Sequence, residues 1–227
     1  MKKDSLIKRY LVFILGLYFL AMGIVLIVHS ALGTTPISSI NYVLSLNLPL
    51  TLGAWTFITN MIMVLIQLWL IRGEYGTRKD AVEILLQIPL SFVFSAFIDL
   101  NMWLTAGLHT TGYLMSVMVL LAGCLVQSVG VVLEIKPKVA MMSAEGTVKY
   151  ISRRLHKEFG NVKVGFDVTL VLMAVLISLA FTRHIEGVRE GSVIAAFITG
   201  YIVNFLNHKI MTRRMLCRLV PVWLVRK

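Results

Sequence analysis

The sequence predicts an all-α polytopic membrane protein: six transmembrane helices arranged as two inverted three-helix repeats, with short half-helices after spans one and four. Three observations carry this expectation. The 227 residues are 58% apolar and only 15% charged, with a mean hydropathy of +0.83. Six apolar runs approach the length of a bilayer core. Lysine and arginine gather in alternate connections between those runs.

Composition sets the class. Soluble domains average about 45–50% apolar and about 25% charged residues. A globule of this size would be left without polar cover, and the same arithmetic excludes disorder. The formal net charge of +11 would point a soluble chain toward nucleic acid. Here the cations sit between apolar runs, so no nucleic-acid partner is expected. Cys124 and Cys217 form neither a disulfide framework nor a metal-binding spacing, and no cofactor or metal is expected.

A span needs about 20 predominantly apolar residues. The runs are Tyr10–Val28, Leu52–Ile71, Val82–Leu104, Tyr113–Leu133, Val164–Phe181 and Ser192–Phe205. The last is short unless it borrows Leu206 to Ile210. The first follows a basic N-terminus but exceeds the roughly 7–15 residues of a signal-peptide core, so a retained helix is expected. Twenty of the 22 Lys and Arg lie in the N-terminal arm, the second and fourth connections and the tail; only Arg183 and Arg189 fall in the others. The positive-inside rule then puts both termini in the cytoplasm.

Sliding the chain against itself by 107 residues aligns Gly16 with Gly123, Gly23 with Gly130, Gly53 with Gly160, Ser45 with Ser152, and Asn60 with Asp167. The repeats read as 1–107 and 108–210, followed by a basic amphipathic tail at 211–227. Each half holds one span, a long connection, then two spans. Three is odd, so the second copy enters the membrane from the opposite side, the plan of many secondary transporters.

The long connections are where chemistry is expected. In the first, Thr35 suits an N-cap and Pro36 the first helical position. Ile37, Ile40, Val43 and Leu44 then share a face over about 10 residues, half a span. If this half-helix is re-entrant, its free N–H groups and positive dipole end point into the protein. Its plain alternative is an interfacial connector. In the second, Ser143 is read as a cap. Ala144, Val148, Ile151, Leu155 and Phe159 form one stripe, with Lys149, Arg153, Arg154 and Lys157 opposite; this also reads as a basic helix on the cytoplasmic leaflet. Polar residues in or bordering spans are Asn60, Gln67, Gln87, Asp99, Gln127, Glu134, Asp167 and Asn204, each costly in lipid unless paired or wetted. The substrate-binding candidates are Thr34, Thr35, Ser38, Asn60, Ser143, Glu145, Thr147 and Asp167. The Thr34–Ser39 and Met142–Thr147 turns are expected to approach the pseudo-two-fold axis from opposite faces, because lipid cannot satisfy their N–H groups.

The stretches Gly16–Leu26, Ala31–Ser38, Leu52–Trp55 with Asn60, and Glu190–Gly200 resemble the YczE/YyaS/YitT group of bacterial integral membrane proteins, over about residues 9 to 207. Gly191-Ser192 departs mildly from that group's Gly-Thr-like step, and Lys136-Pro137-Lys138 has no match in it. The resemblance implies a multi-pass protein of the bacterial inner membrane, of poorly defined function, and brings no catalytic residues.

No P-loop, dinucleotide fingerprint, zinc-protease or nucleophile-elbow motif is present, so no enzyme is expected. The expected function is secondary transport of a small polar or anionic solute by alternating access. The alternatives are a membrane-embedded accessory or assembly protein, or a substrate-binding subunit of a larger importer. The bilayer and the solute are the expected partners, and a homodimer is left open.

Overall fold

In the computed structural model, residues 3–72, 76–108, 110–137, 139–183, 187 and 189–206 are described. Among them the chain forms eight α-helices and no strand: α1 (Lys3–His29), α2 (Pro36–Asn47), α3 (Leu52–Leu70), α4 (Arg78–Leu104), α5 (Tyr113–Ile135), α6 (Ser143–Leu155), α7 (Phe159–Thr182) and α8 (Glu190–Phe205). Five of these, α1, α3, α4, α5 and α7, are long and apolar enough to cross a membrane. The protein is therefore a polytopic helical membrane protein. The 16 residues of α8 fall short of that length; the four residues that would extend it, 207–210, and the basic tail lie outside the described residues.

Helices α1 and α5 form the central pair, and glycine decides how closely they approach. A Cβ placed on Gly16 would lie 2.7 Å from the backbone nitrogen of Glu134; on Gly23, 2.4 Å from that of Gln127; on Gly130, 2.3 Å from that of Leu20; on Gly123, 2.9 Å from that of Ile27. Residue numbers rise along α1 as they fall along α5, so the helices run antiparallel. Lipid tails give no hydrophobic drive for helix association, so close backbone packing supplies it instead. The two glycine pairs that the 107-residue shift aligns thus line one crossing. Gly53 behaves differently from its counterpart. Its missing side chain admits the Asp99 carboxylate, whereas Gly160 has open space around it.

Around this pair, α4 packs on α1 and α8 on α5. Helix α2 packs on α7 and α6 on α3, while α3 pairs with α4, α2 with α3, and α6 with α7. Phe13, Leu17, Val25, Phe94 and Ile98 fill the core between α1 and α4. Local chemistry fixes the helix starts. Asp99 accepts from the Gly53 N–H at 2.8 Å and the Thr51 hydroxyl at 2.7 Å, closing the start of α3 against α4. Thr77 and Asp80 form a capping box that starts α4 four residues before its apolar run.

Candidate functional site at the half-helix starts

Helices α2 and α6 are the two half-helices, of 12 and 13 residues. Their starts are buried. Thr35 holds the N-cap position of α2 with extended backbone, yet its hydroxyl bonds Ser38 at 3.0 Å instead of a free N–H. Thr34 is tied to the start of α8: its N–H donates to the Ser192 hydroxyl at 3.0 Å and its own hydroxyl donates to the Gly187 carbonyl at 2.9 Å. Gly33 makes this approach possible. Its φ is +131°, and a Cβ there would lie 2.4 Å from the Ser192 oxygen. Only glycine meets both conditions.

At α6 the N-cap residue is Met142, and Ser143 is the first helical residue. The expected capping role of Ser143 is replaced by a tertiary one, because its hydroxyl lies 3.2 Å from that of Ser91 on α4. Thr147 folds back onto the Ser143 carbonyl at 2.7 Å. That carbonyl also accepts from Gln67 at 3.0 Å. Gln67 of α3 and Gln87 of α4 face each other as a buried amide pair, bonded both ways at 2.9 Å. Gly146 leaves room for them, since a Cβ there would lie 2.6 Å from the Gln67 oxygen.

An unpaired buried amide costs about 1–3 kcal/mol. Gln87→Leu leaves Gln67 its bond to the Ser143 carbonyl, whereas Gln67→Leu takes the partners of both polar atoms of Gln87. Both variants should melt below the wild type in detergent, with Gln67→Leu the lower. The reverse order would refute this arrangement.

Each half-helix gives one buried residue to a shared apolar cluster. Ile40 of α2, Met63 of α3, Ala144 of α6, and Leu170 and Ala174 of α7 are buried together, with Ile37 beside them. Met63 and Leu170 are related by the 107-residue shift. Asn60 and Asp167 lie one turn before them on α3 and α7. The bonds of the expected residues fall into separate groups: Thr35 with Ser38, and Thr34 with Ser192 and Gly187; Thr147 with Ser143, and Ser143 with Ser91 and Gln67; Asp167 with Lys163. Asn60 is 95% buried, and its amide nitrogen has no hydrogen-bond partner among the described residues.

The second half carries the charge. Lys163 and Asp167, one turn apart on α7, form an ion pair at 2.7 Å and are little more than a quarter exposed. Glu145, on the first turn of α6, lies within electrostatic reach of both, and Glu134 at the end of α5 within reach of Glu145. Subtracting 107 converts Glu145, Lys163 and Asp167 into Ser38, Thr56 and Asn60. The first half thus holds a neutral version of the same three positions, where Asn41 donates to the Thr56 hydroxyl at 3.3 Å. Lys163 was counted in the sequence only as a cation of a connection; reading polar positions in the repeat register would have found its role.

Among the described residues, no group of three His, Cys, Asp or Glu side chains is placed to hold a metal ion. Two surface clefts lie away from the half-helix starts. One of about 400 Å³ borders Arg78, Lys79, Val82 and Glu83. The other, of about 220 Å³, is apolar and lies among Phe19, Leu125, Val126, Val129, Ile202 and Leu206. At the half-helix starts Thr34, Ser38, Ser143 and Thr147 are buried.

The far end of α6 is bolted to α3 and α4. Lys149 pairs with Glu83 at 3.0 Å and Arg153 with Asp80 at 3.1 Å. The Arg154 guanidinium lies over the Trp69 ring, 4.9 Å from its centre. The basic face expected to rest on a leaflet is in part spent on these contacts.

These features define a polytopic helical membrane protein built on an antiparallel central pair, with two short helices that share one apolar cluster. Residues 7–208 match the model of a family of unknown function, DUF6198, and the chain belongs to that family. No curated protein matches the chain, and no solved structure matches it.

Proposed function

We propose that this protein is a small secondary transporter, moving a small polar or anionic solute by alternating access between two inverted three-span halves. The observation that carries the reading is that α2 and α6 share one apolar cluster with α3 and α7, whose Asn60 and Asp167 lie one turn before the cluster residues Met63 and Leu170. Broken helices that aim their N-termini at a central site are how many transporters bind a solute without water.

The inverted repeat is supported by register. Adding 107 to the first residues of α2 and α3 gives the first residues of α6 and α7. The crossing of α1 and α5 maps onto itself, since Gly16 opposite Glu134 becomes Gly123 opposite Ile27, and Gly23 opposite Gln127 becomes Gly130 opposite Leu20. The packing of α1 with α4 is answered by α5 with α8, and that of α2 with α7 by α6 with α3. In this reading α8 is the sixth span and the counterpart of α4. Both termini face the cytoplasm, and the membrane is the bacterial inner membrane. The resemblance to the YczE/YyaS/YitT group belongs to the same reading.

Two carboxylates lie about Lys163: Asp167, which pairs with it, and Glu145, within its electrostatic reach. An uncompensated carboxylate is costly at membrane depth. The solute is therefore taken up with a proton or a small cation to neutralise this surplus. The burial at the half-helix starts favours a second reading, that of an accessory or assembly protein or a substrate-binding subunit, in which the half-helices only brace the spans. Uptake of a panel of small polar solutes into liposomes holding the purified protein separates the two. Uptake by the protein alone supports transport; no uptake, with stable co-purification of another membrane protein, supports the second reading.

A further inference from the structure

We propose that the cleft at the start of α4 holds the headgroup of an anionic phospholipid. The cleft, of about 400 Å³, is lined by Arg78, Lys79, Val82 and Glu83. Two acids of the first turns of α4 are already engaged from α6: Glu83 by Lys149 at 3.0 Å and Asp80 by Arg153 at 3.1 Å. Arg78 and Lys79 are exposed, and neither has a hydrogen-bond or ion-pair partner among the described residues. Among the described residues, two adjacent cations thus stand without an acidic partner beside a cleft large enough for a phosphodiester.

The surroundings select a lipid. Trp69 at the end of α3 is 59% exposed and stacked by Arg154. An exposed tryptophan beside a cation marks the level of a membrane–water interface. The antiparallel pairing of α3 with α4, fixed by the Gln67–Gln87 bond, sets Trp69 level with the second turn of α4. Below the two cations, on one face of α4, Val82, Leu85, Leu86 and Phe92 are exposed. In a membrane protein this stripe faces acyl chains. A headgroup phosphate at Arg78 and Lys79 with its chains along the stripe satisfies charge and apolar surface together. Free phosphate satisfies only the charge.

Native mass spectrometry of the purified full chain in detergent, with phosphatidylglycerol or phosphatidylcholine added, tests this. The wild type should retain phosphatidylglycerol in preference. At about 1 kcal/mol for each basic residue, the double variant Arg78→Gln/Lys79→Gln should lose about 30-fold in that affinity. The exchange variant Arg78→Lys/Lys79→Arg, which keeps both charges, should retain it, and so should Lys157→Gln, which removes an exposed cation just past the end of α6. Inorganic phosphate at matched concentration should not compete. Equal retention of both lipids, an equal loss in Lys157→Gln, an unchanged double variant, or full displacement by inorganic phosphate would each overturn the proposal. The lipid is read on the mass of the folded protein, so an unfolded double variant is recognised as such, and the comparison then rests on the exchange variant and Lys157→Gln.

Discussion

Gly23→Leu is expected to lose the folded protein. A Cβ at position 23 would lie 2.4 Å from the Gln127 nitrogen and 2.5 Å from its Cα. The obstacle is backbone of the opposing helix, which no rotamer change can move. Overpacking ordinarily costs about 1–3 kcal/mol. Here the whole α1–α5 crossing must separate, so a loss of about 3 kcal/mol or more is expected. For a chain of this length that lowers the melting temperature by about 6–12 °C. Gly130→Leu, which would drive into the Leu20 backbone at 2.3 Å, should lose as much. Gly165→Ala is the control. It lies on α7 with nothing within 4 Å of the added carbon, and a helical glycine replaced by alanine gains about 0.5–1 kcal/mol. Thermal denaturation in detergent reads all three, and a Gly23→Leu protein melting with the wild type would refute the crossing.

The second large effect is an asymmetry within an ion pair. Removing one partner of a fully buried pair costs about 3–5 kcal/mol because a bare charge remains. Lys163 and Asp167 keep 27% and 28% of their side-chain surface, so screening reduces that cost. Lys163→Met leaves Asp167 and Glu145 without the cation in reach of both, and a loss of about 2 kcal/mol is expected on the same principle. Asp167→Asn leaves Lys163 beside Glu145, one charge against one, and under about 1 kcal/mol is expected. An isolated Lys163–Asp167 pair would give nearly equal losses from either side. Melting curves of the two variants and of Glu145→Gln distinguish these outcomes. If Asp167→Asn is as damaging as Lys163→Met, Glu145 does not share the lysine.

Much of the fold is legible because hydropathy and helix chemistry agree. The run starting at Leu52 becomes α3 from Leu52, and Tyr113 opens α5. Pro36 opens α2, as its missing N–H and fixed φ require. Where the sequence reading starts a helix late, the reason is physical. Hydropathy marks the segment that lipid accepts, not the whole helix, so the polar first turns of α4 at Arg78 and of α7 at Phe159 are missed. In the site, the depth equivalence of Asn60 and Asp167 is readable from the repeat. The Gln67–Gln87 pair, the bond of Ser143 to Ser91 and the anchoring of Thr34 by Ser192 are not readable. Each joins residues 20 to 158 positions apart, and no local period encodes such a partner.

Asn60 lies one turn before the cluster that the two half-helices share, so its accessibility tests alternating access without knowledge of the solute. A chain with Cys124→Ala, Cys217→Ala and Asn60→Cys would be exposed to a membrane-impermeant maleimide in right-side-out and in inverted vesicles. A site that opens in turn to each side is labelled in both preparations. Labelling in one preparation only, or in neither, contradicts it.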